Sequence, residues 1–116
     1  MGSSQSSATS SSSANMKDFI NGQISANKIV VFSKSYCPYC TKTKQLFAQP
    51  EYKALNPVVH ELDKMGDGPA IQAELLAMSG QRTVPSVWIG GTFLGGNSET
   101  QAAHKDGSLQ SKLGLN

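Results

Sequence analysis

Cysteine is scarce in this chain: 116 residues contain two, Cys37 and Cys40. That excludes a disulfide-rich scaffold. No run reaches the ~18 apolar residues that a membrane span needs. No apolar h-region follows the start, so no secretory signal is expected and the default compartment is reducing and cytoplasmic. Net charge is also small. Ten Lys and Arg against eight Asp and Glu give +2, too little for a dedicated nucleic-acid binder. The histidines, His60 and His104, lie far from each other and from the cysteines, and no second close thiol pair exists. Zinc spacing is therefore missing, and no metal is expected. The length allows one hydrophobic core and one domain.

The first 15 residues, MGSSQSSATSSSSAN, are serine-rich and lack the apolar side chains to join a core. They are expected to be a disordered tail, with the domain spanning 16–116. Met1-Gly2 with Ser6 fits the loose pattern for N-myristoylation at Gly2. A single acyl chain without a basic cluster binds membranes only marginally, so no stable insertion is expected.

Apolar spacing predicts a helix from Met16 to Ala26, with Phe19, Ile20 and Ile24 on one face. Ile29 to Phe32 reads as a strand buried on both faces. Residues 38–49 form a helix with Thr43, Leu46 and Phe47 on one side, ended by Pro50, which disfavours helix at Gln49. Val58 to Leu62 is a second strand. Pro69 opens a helix carrying Ile71, Leu75 and Met78, and Gly80 stops it. Ser86 to Ile89 and Thr92 to Leu94 flank Gly90-Gly91, a hairpin signal. Ser98 to Gln101 fits a capping box that opens a last helical region, interrupted near Gly107. The fold class that follows is α/β: a mixed four-stranded sheet, a parallel βαβ unit plus an antiparallel hairpin, with helices on both faces.

The two cysteines sit together in KSYCPYCTKTK, after the apolar run IVVF. Between Lys28 and Lys53 there are five lysines and one acid, Glu51, a local positive field suited to a small anionic partner. Pro38 suits a first helical position, which makes Cys37 the N-cap. The N–H groups of Tyr39 and Cys40 then favour its thiolate, and Lys34 adds charge. Cys40 lies one turn in, on the same side and deeper, the place of a resolving thiol. A structural bridge here closes a loop of only four residues, worth about 2 kcal/mol in chain entropy. A reducing compartment would also keep it open. Dithiol redox chemistry is what the spacing and context favour.

Cys37-Pro38-Tyr39-Cys40, Thr83-Val84-Pro85 and Gly95-Gly96-Asn97-Ser98, in that order, resemble the dithiol glutaredoxins across essentially all of 16–116. The resemblance implies the thioredoxin fold and a glutathione-dependent thiol–disulfide oxidoreductase. It would act on glutathionylated and disulfide-containing proteins, with glutathione as co-substrate and Cys37 and Cys40 catalytic. It implies that Pro85 is a cis proline facing the cysteines and that the backbone of Val84, after Thr83, pairs with glutathione. Lys34 and Gln72 match the positions that hold the glycyl carboxylate. The N–H groups of Asn97 and Ser98, after Gly96, match those that meet the γ-glutamyl carboxylate. Glu99 stands where many members have the aspartate that meets the ligand amine, and Tyr39 lines the groove. A monomer is expected. The alternative the family allows is a dimer in which a [2Fe–2S] cluster is shared between two subunits and two glutathiones. A thioredoxin-like reductase is a further rival, though CPYC differs from the CGPC usual there. Trp88 is read as sheet packing, and His60 and His104 as structural or exposed.

Overall fold

The computed structural model describes residues 13–115. The expected disordered tail lies mostly outside them, as does Gly2. In chain order the elements are α1 (Ser13–Ala26), β1 (Ile29–Ser33), α2 (Pro38–Phe47), α3 (Pro50–Lys53), β2 (Val58–Glu61), a 3-10 turn (Leu62–Lys64), α4 (Gly68–Ser79), β3 (Ser86–Ile89), β4 (Thr92–Gly95), α5 (Asn97–Asp106) and α6 (Ser108–Lys112).

The sheet order is β2-β1-β3-β4. β1 runs parallel to β2, Val30 beside Val58, and antiparallel to β3, Val30 beside Trp88. β3 and β4 form the expected hairpin, with Gly90 and Gly91 both at positive φ, 58° and 84°, which a type I′ turn requires. A bulge interrupts that pairing at Val87 and Trp88.

Alternation along β1 feeds two cores. Ile29 and Val31 face Leu46 and Phe47 of α2, Tyr52 of α3, Ala103 of α5 and Leu109 of α6. Val30 and Phe32 face Met16, Ile20 and Ile24 of α1, and Ile71 and Leu75 of α4. Every residue of β1 is buried, as a central strand with covered faces demands. Truncating Phe32 to alanine would cost about 3–5 kcal/mol. This is the mixed sheet and two-sided helix cover expected from the sequence. Among the described residues, no helix is long and apolar enough to cross a membrane.

Three boundaries differ from expectation by more than one residue. α1 begins at Ser13, three residues early, so the expected tail boundary at 15 falls inside a helix. Pro50 does end α2, with Gln49 extended at ψ 146°, but it also opens the one-turn helix α3, whose Tyr52 is fully buried. The capping box at the start of α5 is shifted by two. Gly96, not Ser98, is the N-cap, because the Glu99 carboxylate reaches back to the Gly96 N–H at 2.8 Å. Gln101 instead donates to Asn97 Oδ1 at 3.1 Å.

The histidines and the tryptophan are structural. His60 stacks on Phe32 and donates its Nε2–H to Gln23 Oε1 at 2.8 Å, and burial holds its pKa below the usual value. His104 meets the buried Tyr52 hydroxyl at 2.6 Å. Trp88 Nε1 donates to Ser86 Oγ at 3.0 Å, and its ring lies 5.2 Å from that of Phe93.

Candidate active site

β1 ends at Ser33, and after four connecting residues α2 begins at Pro38. Cys37 is the N-cap, extended at φ −88° and ψ 120°, and Pro38 takes the first helical position, where its missing N–H is harmless. The connecting loop is held from outside. Ser35 donates its N–H to Asp63 Oδ1 at 2.9 Å and its hydroxyl to Oδ2, which ties the loop to the 3-10 turn. Those two bonds hold the Asp63 carboxyl below its usual pKa. Cys37 N–H donates to Lys34 O at 3.1 Å, closing the turn.

The two thiols are free and differ in setting. Cys37 is half-buried. Burial pushes its pKa up, but the Cys40 N–H, the Cys40 thiol, the Tyr39 N–H and the Lys44 charge outweigh this, so it lies below the ordinary value. The expected N–H donors are thus in place. The expected Lys34 charge is replaced by Lys44, which also pairs with Glu61 Oε2 at 2.6 Å. Lys34 serves Cys40 instead, through its backbone N–H, 3.4 Å from that sulfur. Cys40 is fully buried, and this desolvation pushes its thiol above the ordinary pKa. Lys34 N–H and the Ser33 hydroxyl oppose that rise, whereas Cys37 adds to it.

Two grooves flank this segment. One, of about 400 Å³, is lined by Lys34 and Tyr36 with Asp63, Gly68, Pro69 and Gln72. The Gln72 side-chain amide donates to Arg82 O at 2.8 Å, which holds it against the loop after α4. The other, of about 380 Å³, is lined by Tyr39, Thr83, Val84, Pro85 and 96–99. The Val84–Pro85 bond is cis, and the Cys37 sulfur lies 4.0 Å from Val84 O. Gly96 to Glu99 place the start of α5 in the same groove, where the first N–H groups of a helix lack intrahelical partners. Gly95 has φ 140°, and a Cβ there would come within 2.7 Å of the Glu99 side chain.

Of the twelve residues expected at the site, ten line these two grooves, and the two cysteines lie at the helix start between them, Cys40 against the Lys34 N–H and Cys37 against Val84 O. Glu99 has one oxygen committed to the Gly96 N–H. Sequence reasoning missed Lys44, Ser33 and Thr43. Thr43 is fully buried in α2, and its hydroxyl donates to Asn97 Oδ1 at 2.9 Å, bolting α2 to the start of α5. No local signal marks a contact 54 residues apart.

A family model described as glutaredoxin matches residues 29–94. The chain is 46% identical over 107 residues to glutaredoxin-C4 of Arabidopsis thaliana, covering 92% of this chain and 77% of that relative. It is 40% identical over 109 residues to mitochondrial glutaredoxin-2 of Bos taurus, covering 94% and 68%. Among solved structures it resembles a buckwheat glutaredoxin–glutathione complex, with TM-score 0.81, 41% identity and coverage of 88% and 90%.

Proposed function

The chain belongs to the glutaredoxin family, whose members are glutathione-dependent thiol oxidoreductases, and we propose that it reduces glutathionylated proteins and protein disulfides through Cys37 and Cys40. The observation that carries this reading is a sulfur held toward its thiolate between two grooves with complementary chemistry. One groove offers Lys34 and Gln72 to the glycyl carboxylate of glutathione. The other offers the Val84 backbone to its cysteinyl unit and the Asn97 and Ser98 N–H groups to its γ-glutamyl carboxylate. Tyr39, Thr83, Pro85, Gly96 and Glu99 complete the walls. The solved buckwheat complex holds glutathione, which supports the assignment of the grooves.

In this reading Cys37 attacks the glutathione sulfur of a mixed disulfide. The S–S bond breaks, the protein leaves as a thiolate, and Cys37 carries glutathione. A second glutathione thiolate then displaces Cys37, leaving as oxidised glutathione and restoring the nucleophile. One free glutathione is consumed, its sulfur oxidised as the protein sulfur is reduced, while the glutathionyl sulfur passes from one disulfide to the next; Cys40 takes no part. With a protein disulfide, Cys37 forms a mixed disulfide to the protein. Cys40 then attacks Cys37, releases the second protein thiol and leaves a Cys37–Cys40 disulfide for glutathione to reduce.

An assay coupled to glutathione reductase tests this on a glutathione mixed disulfide. Wild type and Cys40→Ser are expected to turn over and Cys37→Ser to be inactive. Full activity in Cys37→Ser overturns the assignment. Activity that requires an enzymatic reductant in place of glutathione would point to the thioredoxin-like alternative. We also propose that the chain acts as a cytoplasmic monomer. A brown protein of doubled mass after anaerobic purification would replace that with the cluster-bearing dimer.

A further inference from the structure

β1 ends on a hydroxyl that the mechanism above does not use. Ser33 is fully buried, and its Oγ has no hydrogen-bond partner of standard geometry. Its direction follows from the strand. Ile29 and Val31 point to the α2 side, so Ser33, next in that alternation, does too. There it faces the Cys40 sulfur, itself fully buried. A buried hydroxyl without a partner is costly, and Val or Ala would fill the position without that cost.

We propose that Ser33 is a positioning residue for Cys40: its hydroxyl closes onto the Cys40 sulfur when that sulfur becomes a thiolate, alongside the Lys34 N–H at 3.4 Å, and thereby readies Cys40 to resolve a mixed disulfide on Cys37. A neutral thiol is a weak acceptor, so the hydroxyl gains little from Cys40 in that form. In the thiolate form it gains a charged acceptor, and charge-assisted bonds are shorter and about twice as strong. The balance at Cys40 is then burial and the Cys37 sulfur against two donors from the end of β1. Lys44, one turn further along α2, acts on Cys37 and pairs with Glu61. The inference rests on the proposed two-thiol chemistry.

The resolving step can be watched alone. Oxidised glutathione loads Cys37 as a mixed disulfide. Cys40 loses its proton to solvent and attacks Cys37, and glutathione leaves as its thiolate. Acid quenching and intact mass follow that release from pH 5 to 10 in the full-length protein. Ser33→Ala is expected to move the rate midpoint to higher pH. A thiolate of higher pKa is also a stronger nucleophile, with a Brønsted coefficient of about 0.4–0.5. Each unit of midpoint shift thus slows release at pH 7 by only about threefold to fourfold and speeds it above the midpoint. The two profiles should cross. Ser33→Thr, which keeps the hydroxyl, should restore the wild-type profile. A uniformly lowered profile in Ser33→Ala, or an unchanged one, overturns the role of Ser33 while leaving the two-thiol reading intact. Failure of wild type to release glutathione at all overturns that reading instead.

Discussion

Cys37 and Cys40 are the same residue on the same helix three positions apart, and the protein pushes their ionisation in opposite directions. Both lose solvation. Cys37 lies at the helix mouth, where two backbone N–H groups have no carbonyl to meet and turn to the sulfur. Cys40 lies one turn in, where its neighbours' N–H groups are spent within the helix and only the end of β1 supplies donors. One turn of helix therefore separates a nucleophile from a thiol in reserve. The contrast should be large in reactivity: at pH 7, Cys37 in Cys40→Ser should react with iodoacetamide on the order of 100-fold faster than Cys40 in Cys37→Ser. In denaturant the difference should vanish. Equal rates in the folded variants would erase the distinction.

The same contrast predicts opposite pH slopes of stability. The Cys37 pKa is lowered on folding, so its contribution is complete above the unfolded value and is lost as pH falls through the folded one. The Cys40 pKa is raised, so its contribution is complete below the unfolded value and is lost as pH rises through the folded one. Cys40→Ser, retaining Cys37, should gain denaturant midpoint relative to the double serine variant as pH rises toward about 8.5. Cys37→Ser, retaining Cys40, should lose midpoint relative to that double variant above about 8.5. Parallel curves for the two would refute the assignment.

What the sequence made legible was local. IVVF followed by CPYC places a buried strand, a loop and a helix start within a few residues, and period and caps suffice to read it. The hairpin at Gly90-Gly91 and the stop at Gly80 are legible for the same reason. The shifted capping frame at Gly96 was not, since Ser98 is the stronger N-cap type and only the approach of Glu99 selects the glycine. Groups joined across the fold were invisible: Ser35 with Asp63, Lys44 with Glu61, Thr43 with Asn97.

That last pair tests whether the second helix mouth is held as firmly as the first. Asn97 Oδ1 accepts from Thr43 and Gln101, which fixes the start of α5 against α2. Thr43→Val keeps the shape and leaves Asn97 one donor short, a loss of about 1 kcal/mol or about fivefold. It should raise KM for a glutathione mixed disulfide by that factor, leave the Cys37 alkylation profile in place and be rescued by Thr43→Ser. A fall in kcat with KM unchanged would show that α5 does not depend on this bond.

The smallest effect concerns which lysine acts on Cys37. The sequence suggests Lys34, and the structure assigns the charge to Lys44. Lys44 is only about a quarter exposed and paired to Glu61, so the two charges largely cancel at a distance. Lys44→Met should raise the Cys37 alkylation midpoint by a few tenths of a unit, about a twofold loss of thiolate at pH 7. Glu61→Gln leaves Lys44 uncompensated and should lower the midpoint by a similar amount. The double variant should fall between them, and 0.5 M salt should shrink both shifts by screening. Lys34→Met should raise KM and leave the midpoint still. A midpoint that follows Lys34 and ignores Lys44 would return the electrostatic role to the residue that the sequence alone suggests.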